Sequence, residues 1–282
     1  MPGHEVRWCF HTTAMVADYE RTRDALAWLV GSRVLEDERE EDPAIGRRGG
    51  MAWIGDNAIE LGEPIVAGGA VDRFVRRFGS HMSSIAVQVA DTDATVAFLE
   101  AHGCPVASRV GDVVFTDPRA TAGIVVEWYG GVPPNDPRWG TPMPPASCDP
   151  VLDVAQTAFA GAVVDDPATA AERLAELFCT AVTYAGADGA GVSMVDMTLA
   201  LFPLPRDAAE SERRWGHVYE RPQTSSLGVR VADLAGALDA LTGARVPLVR
   251  HDDRMIVVRP DATGGVIVCV VDELLPGDPR EA

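Results

Sequence analysis

The order of apolar and polar positions over residues 1–131 reads as strand, helix, then three strands, twice over. An apolar strand from about Trp8 to Val16 leads into a predicted helix from Tyr19 to Val30 that carries Ala25, Leu26, Trp28 and Leu29, and Gly31 stops it. Strands follow near Val34 to Glu38, Gly50 to Ile54 and Ala58 to Leu61, the last two joined by the turn residues Gly55, Asp56 and Asn57. Ser84 to Val89 is a further strand. Asp91 is placed to cap a helix through Ala101 that Gly103 ends, and strands near Val106 to Arg109, Asp112 to Thr116 and Gly123 to Trp128 complete the set.

Residues 132–150 (VPPNDPRWGTPMPPASCDP) are the most proline-rich part of the chain. Proline at that density favours extended backbone, so this stretch is read as a linker between a first domain, 1–131, and a second, 151–275. The two halves repeat each other. SSIAVQVAD from Ser83 lies 142 positions before SSLGVRVAD from Ser225, and DPRATAGIVVEWY from Asp117 lies over RPDATGGVIVCVV from Arg259 at the same separation. The second domain is therefore expected to be a diverged copy of the first.

Composition narrows the chemistry. Of 282 residues 47% are hydrophobic and 23% charged, which suits a globular protein with a large core. A formal net charge of −18 repels phosphate backbones and anionic bilayers, so neither nucleic acid nor membrane is an expected partner. No apolar run is long enough to span a bilayer and no signal-peptide pattern opens the chain, which makes a cytoplasmic location the expectation. The five cysteines are scattered, with no C-x-x-C pair, and are read as reduced thiols. All 24 basic residues are arginine, which removes Schiff-base, pyridoxal-phosphate and P-loop lysine chemistry.

One histidine and one glutamate recur in each half of the first domain. His11 is on the first strand of one unit and Glu60 on its last; His81 precedes the first strand of the next and Glu127 ends its last. If the two units face a common cleft, these four groups converge, and two imidazoles with two carboxylates suit one divalent first-row metal ion with open positions for water or substrate. Alone, a histidine near a strand is more often a hydrogen-bonded or surface residue than a ligand, and it is the recurrence that points to a metal. Glu60 in AIELGEP and Glu127 in IVVEWYG are stronger signals, because a carboxylate after an apolar strand needs a partner if it is buried.

The segments GDNAIELGEP, FGSHMSSIAVQVAD and VVFTDPRATAGIVVEWYG resemble the vicinal oxygen chelate superfamily, which includes glyoxalase I, methylmalonyl-CoA epimerase, extradiol dioxygenases and bleomycin-resistance proteins. The likeness is greatest to the methylmalonyl-CoA epimerase branch, through the His before the strand and the ending Asp117-Pro118 to Thr121, Gly123 and Glu127. It implies an α+β fold of tandem βαβββ modules, two such domains and four modules in all. It further implies one divalent metal ion (Co, Ni, Zn, Mn, Mg or Fe) on His11, Glu60, His81 and Glu127. The activity implied is that of an isomerase or lyase that takes a proton from beside a carbonyl through a metal-stabilised enolate, with Glu127 or Glu60 as the base. The substrate would be a small carbonyl compound or an acyl-CoA, and the chain a monomer or homodimer. The branch often carries Gln where Glu60 stands and a second His beside His81, where this chain has Met82 or Ser83. The acidic run EDEREED from Glu36 occupies the region of a further carboxylate in the epimerases, and equally fits a solvated face.

The second domain is expected to lack a metal site. At the 142-residue offset His81 becomes Gln223 and Glu127 becomes Cys269, while Glu60 falls near Leu199 and His11 near Ala158 or Phe159. His217 and His251 are off the pattern and are assigned to surface loops. Arg47, Arg48, Arg73, Arg76 and Arg77 are candidates for holding an anionic substrate group, although the last three also fit the solvated side of a short helix. Two rival functions stay open: an iron-dependent extradiol dioxygenase, and a protein that sequesters a drug or metabolite without turnover.

Overall fold

The computed structural model describes the backbone of residues 4–42, 46–131 and 135–281, with side chains throughout except at 36–42. The side chains of the acidic run from Glu36 and the residues 132–134 at the head of the proline-rich stretch lie outside the described residues. The first domain contains β1 (Val6–Met15), α1 (Tyr19–Val30), β2 (Arg33–Asp42), β3 (Arg47–Ile54) and β4 (Asn57–Pro64). After α2 (Ala70–Phe78) come β5 (His81–Val89), α3 (Thr92–Ala101), β6 (Val106–Val110), β7 (Val113–Thr116) and β8 (Val125–Tyr129). Local chemistry sets the helix boundaries. Asp18 accepts from the Arg21 N–H at 3.0 Å and Asp91 from the Ala94 N–H at 2.9 Å, while Gly31 closes α1 with φ of 69°.

The second domain repeats this order. It comprises β9 (Val154–Val164), α4 (Pro167–Phe178), β10 (Val182–Gly186), β11 (Gly189–Ser193), β12 (Thr198–Pro203) and α5 (Ala208–Trp215). β13 (Gln223–Val231), α6 (Leu234–Gly243), β14 (Leu248–His251), β15 (Ile256–Val258) and β16 (Val268–Val271) follow. Each domain is one eight-stranded sheet, ordered β2-β3-β4-β1-β5-β8-β7-β6 and β10-β11-β12-β9-β13-β16-β15-β14. Within each βαβββ unit the first and last strands are parallel, and the two units of a domain join through an antiparallel pair, β1 with β5 and β9 with β13. The chain is thus the expected tandem of four modules.

Strand periodicity sorts the side chains onto two faces. On β8, Val126 and Trp128 point to the helices, whereas Val125, Glu127 and Tyr129 line a cleft. The helix-bearing faces of the two sheets pack together and share their cores. One core joins α3 to α4 through Phe98, Leu99, Leu174 and Phe178; the other joins α1 to β13 and α6 through Leu26, Leu29, Val229 and Leu241. Burial across both domains ties their stability together. The proline-rich stretch is not merely extended, since it includes a short 3-10 turn, Pro137–Trp139, whose Arg138 reaches the first strand of the sheet.

The two open faces differ. In the second domain the cleft face is a solid core in which Phe159, Trp215, Tyr219, Ile267 and Cys269 pack together, with Phe202 edge-on to Trp215 at 5.0 Å. In the first domain the equivalent face holds a cavity of about 570 Å³. Trp215 is fully buried, so Trp215→Ala should empty a large volume and cost about 3–5 kcal/mol. Urea unfolding checks this: the midpoint should fall well below wild type.

Candidate metal centre

The cleft of the first domain is organised by two neighbouring rows across the sheet. Ala58, His11, Ala86 and Glu127 face one another on β4, β1, β5 and β8, and the next row is Glu60, Thr13, Ser84 and Val125. Curvature brings ligand atoms of His11, Glu60 and Glu127 within 4.8 Å of one another. Thr13 sits between the carboxylates, its hydroxyl 3.4 Å from Glu60 Oε2 and 3.2 Å from Glu127 Oε1. Ser84 donates to Glu127 Oε1 and Arg47 pairs with Glu60 Oε1. Above them the walls are apolar, built from Phe10, Met51, Val71, Phe74, Val113 and Phe115.

His11 lies in this row because β1 carries a bulge. Cys9 pairs with Val87 and His11 with Ala86, so Phe10 is an extra residue, and Phe10 and His11 both line the cleft. His11 is 4% exposed; its Nδ1 has no hydrogen-bond partner and its Nε2 is 3.4 Å from Glu60 Oε2. A buried imidazole with an unpartnered Nδ1, beside two carboxylates, is a donor set that fits a divalent metal ion.

The electrostatics separate the two carboxylates. Burial raises the Glu60 pKa, but the Arg47 guanidinium and His11 outweigh it and hold the group well below the usual carboxylate range. Burial pushes Glu127 the other way and the Glu60 charge adds to it, against the opposing pull of His11, Ser84 and Arg47. Glu60 is the fixed anion and Glu127 the better proton acceptor.

His81 corrects the four-ligand expectation, because the structure does not bring it to the other three. A second bulge, at Ser83, separates the pairs Thr13 with Ser84 and Ala14 with Met82. The β5 counterpart of His11 is Ser84, which pairs with Val125 two residues before Glu127, just as His11 pairs with Ala58 two residues before Glu60. His81 pairs with Met15 at the strand end, and its Nε2 lies 3.0 Å from the Tyr219 hydroxyl of the second domain. His217 is likewise not on a free surface loop: its ring packs on His81 with centroids 4.3 Å apart. His251 is exposed. In the second domain the strand register puts Phe159 at the His11 position, Ala200 rather than Leu199 at that of Glu60, and Cys269 at that of Glu127. Among the arginines, Arg47 reaches the site. Arg48 pairs with Glu63 at 3.1 Å, Arg76 with Asp72 at 2.9 Å, Arg73 with the Gly68 carbonyl, and Arg77 covers the Phe78 ring. The polar pair Thr13 and Ser84 was not foreseen. Its signal in the sequence is weak, since each hydroxyl stands beside another, Thr12 next to Thr13 and Ser83 next to Ser84.

Burial and the neighbouring His217 push the His81 pKa down to about 3, against an ordinary value of 6.5. Between those values the unfolded chain binds a proton at this position that the folded chain does not, so stability falls as pH drops from about 6.5 towards 3. His81→Gln should make that fall shallower. Urea midpoints measured from pH 7 to pH 4 on both proteins check this.

Comparison with known proteins places the fold. Residues 10–121 match the family described as the glyoxalase/bleomycin resistance protein/dioxygenase superfamily. No curated protein matches the chain. Among solved structures, a mutant of 4-hydroxymandelate synthase from Streptomyces coelicolor overlays 96% of this chain and 93% of its own, at 14% identity and a TM-score of 0.67. Methylmalonyl-CoA epimerase from Mycobacterium tuberculosis overlays 45% of this chain and 90% of its own, at 20% identity and a TM-score of 0.42. A Streptomyces coelicolor methylmalonyl-CoA epimerase variant in complex with 2-nitronate-propionyl-CoA overlays 46% of this chain and 100% of its own, at 22% identity and a TM-score of 0.42. The first of these overlays shows the tandem fold along nearly the whole chain. Residues 10–121 are thus similar to the glyoxalase/bleomycin resistance protein/dioxygenase superfamily, and the second half of the chain repeats their fold.

Proposed function

We propose that the chain is a divalent-metal-dependent isomerase or lyase, in which His11, Glu60 and Glu127 hold the ion and a carbonyl compound in the cleft loses the proton next to its carbonyl. The observation that carries this reading is the convergence of the buried His11 imidazole, the buried Glu127 carboxylate and the part-buried Glu60 carboxylate at the foot of an apolar cavity. When bound, the ion supplies a Lewis acid for the carbonyl oxygen. The chain's own groups divide the remaining work. Arg47 keeps Glu60 anionic as a fixed ligand. Glu127, oriented by Ser84 and Thr13, leaves the ion when substrate arrives and accepts the substrate proton.

The apolar walls exclude water and take an aliphatic or aromatic substrate body. A cavity of about 570 Å³ suits a small molecule, or the acyl end of an acyl-CoA whose nucleotide stays outside.

Metal analysis after reconstitution with Mn²⁺, Co²⁺ or Zn²⁺ should give one equivalent per chain. His11→Ala should lower affinity sharply, while His81→Ala should leave the content unchanged; a loss in His81→Ala would restore the four-ligand set. In deuterated water, a panel of α-branched acyl-CoA thioesters and α-hydroxy ketones should include one whose α-proton exchanges without oxygen uptake. Glu127→Gln should slow that exchange by about two to four orders of magnitude. Oxygen uptake with ring cleavage would instead support an extradiol dioxygenase, and tight binding with neither exchange nor uptake a sequestering protein.

A further inference from the structure

The bulge that aims His11 into the cleft frees two backbone carbonyls from the strand ladder, those of Cys9 and Phe10. Arg138, from the short turn Pro137–Trp139, takes both: Nη1 donates to the Cys9 carbonyl and Nη2 to the Phe10 carbonyl, each at 2.9 Å. The guanidinium is fixed in turn by the buried Asp136, at 2.8 Å from Nη2, and lies 5.5 Å from the Trp8 ring and 5.4 Å from that of Trp53. The second domain completes the arrangement. Asp196 accepts from the Cys9 N–H at 2.7 Å and stands 3.6 Å from Arg138.

The same device recurs, reversed, in the second domain. The register of β9 and β13 leaves Ala158 as the extra residue, and Arg280 donates to the carbonyls of Thr157 and Ala158 at 2.6 and 2.8 Å. Asp278 holds Arg280, and Asp56 of the first domain accepts from the Thr157 N–H at 2.8 Å and lies 3.3 Å from Arg280. Asp136 and Arg138 precede Asp278 and Arg280 by 142 positions, the offset of the domain repeat. Each domain therefore carries a Asp-Pro-Arg turn that pins its own first-strand bulge, and each turn is joined by an aspartate from the other domain. Only the first domain has a candidate ligand, His11, next to the pinned residues.

We propose that Arg138 and Asp196 form an inter-domain clasp that positions His11 for metal binding, so that the second domain, without ligands of its own, supplies a positioning residue to the first domain's site. This rests on the reading of His11 as a metal ligand. Loss of the fork would leave the Phe10 carbonyl without its donor and the Cys9 carbonyl with only the Asn57 amide at 3.0 Å, and let the segment from Cys9 to His11 rearrange. His11 would then spend less time in the geometry that Glu60 and Glu127 require.

The pseudosymmetric arginine provides the control. Arg138→Gln and Arg280→Gln remove the same fork from equivalent bulges, so a purely structural role predicts equal effects from both. Titration calorimetry with Mn²⁺ should show affinity falling about 10- to 100-fold in Arg138→Gln, the range typical when a partner that orients a ligand is removed. Arg280→Gln should stay within about twofold of wild type even where urea midpoints fall alike, since its bulge carries no ligand. Asp196→Asn, which keeps an acceptor for the Cys9 N–H but loses the charge beside Arg138, should fall between them and guards against misfolding of the arginine variant. Amide exchange at His11 in the metal-free protein should quicken in Arg138→Gln and not in Arg280→Gln. Equal Mn²⁺ affinities for the two arginine variants, with His11→Ala defective, would overturn the clasp alone. Unchanged affinity in His11→Ala would overturn the ligand assignment as well.

Discussion

Two carboxylates close together on one sheet face repel each other, and the first domain's cleft is built around that constraint. Glu60 and Glu127 have oxygens within 4.8 Å of one another, where at an effective dielectric of 20 two unit charges interact by about 3 kcal/mol. Arg47 offsets one charge, raised proton affinity relieves the other, and a divalent cation beside His11 would answer both. The hydroxyls of Thr13 and Ser84 fill the remaining polar positions, leaving the walls apolar.

The second domain shows the same backbone after that constraint is lifted. Phe159, Ala200 and Cys269 stand where the imidazole and carboxylates would be, and Trp215 and Tyr219 close the face into a core. What survives there is the bulge with its pinning arginine. Retention of Arg280 in a domain without ligands shows that the fork has a structural use in both domains, and the adjacency of His11 gives it a second use in the first.

Much of this was legible in the chain. The helix expected over Tyr19 to Val30 is α1, Asp91 caps α3, and the 142-residue repeat is the tandem of two sheets. His11, Glu60 and Glu127 could be singled out because one histidine and one glutamate recur in each unit of the first domain, and the glutamates follow apolar strand runs. His81 could not be rejected on those grounds, because its exclusion depends on its place at the start of β5, opposite Met15 and three residues before Ser84, where its imidazole meets Tyr219 of the second domain. Arg138 was hidden for another reason. Its Asp-Pro-Arg turn lies in a stretch whose prolines read as a linker, although the repeat at Asp278 and Arg280 marks it as part of the domain.

The central claim is the composition of the metal's coordination shell, and X-ray absorption spectroscopy of the protein loaded with one equivalent of Zn²⁺ or Mn²⁺ reads it directly. The account predicts a single imidazole among otherwise oxygen ligands, with that scattering signature lost in His11→Ala and kept in His81→Ala. Two imidazoles in the shell, or one that persists without His11, would contradict it.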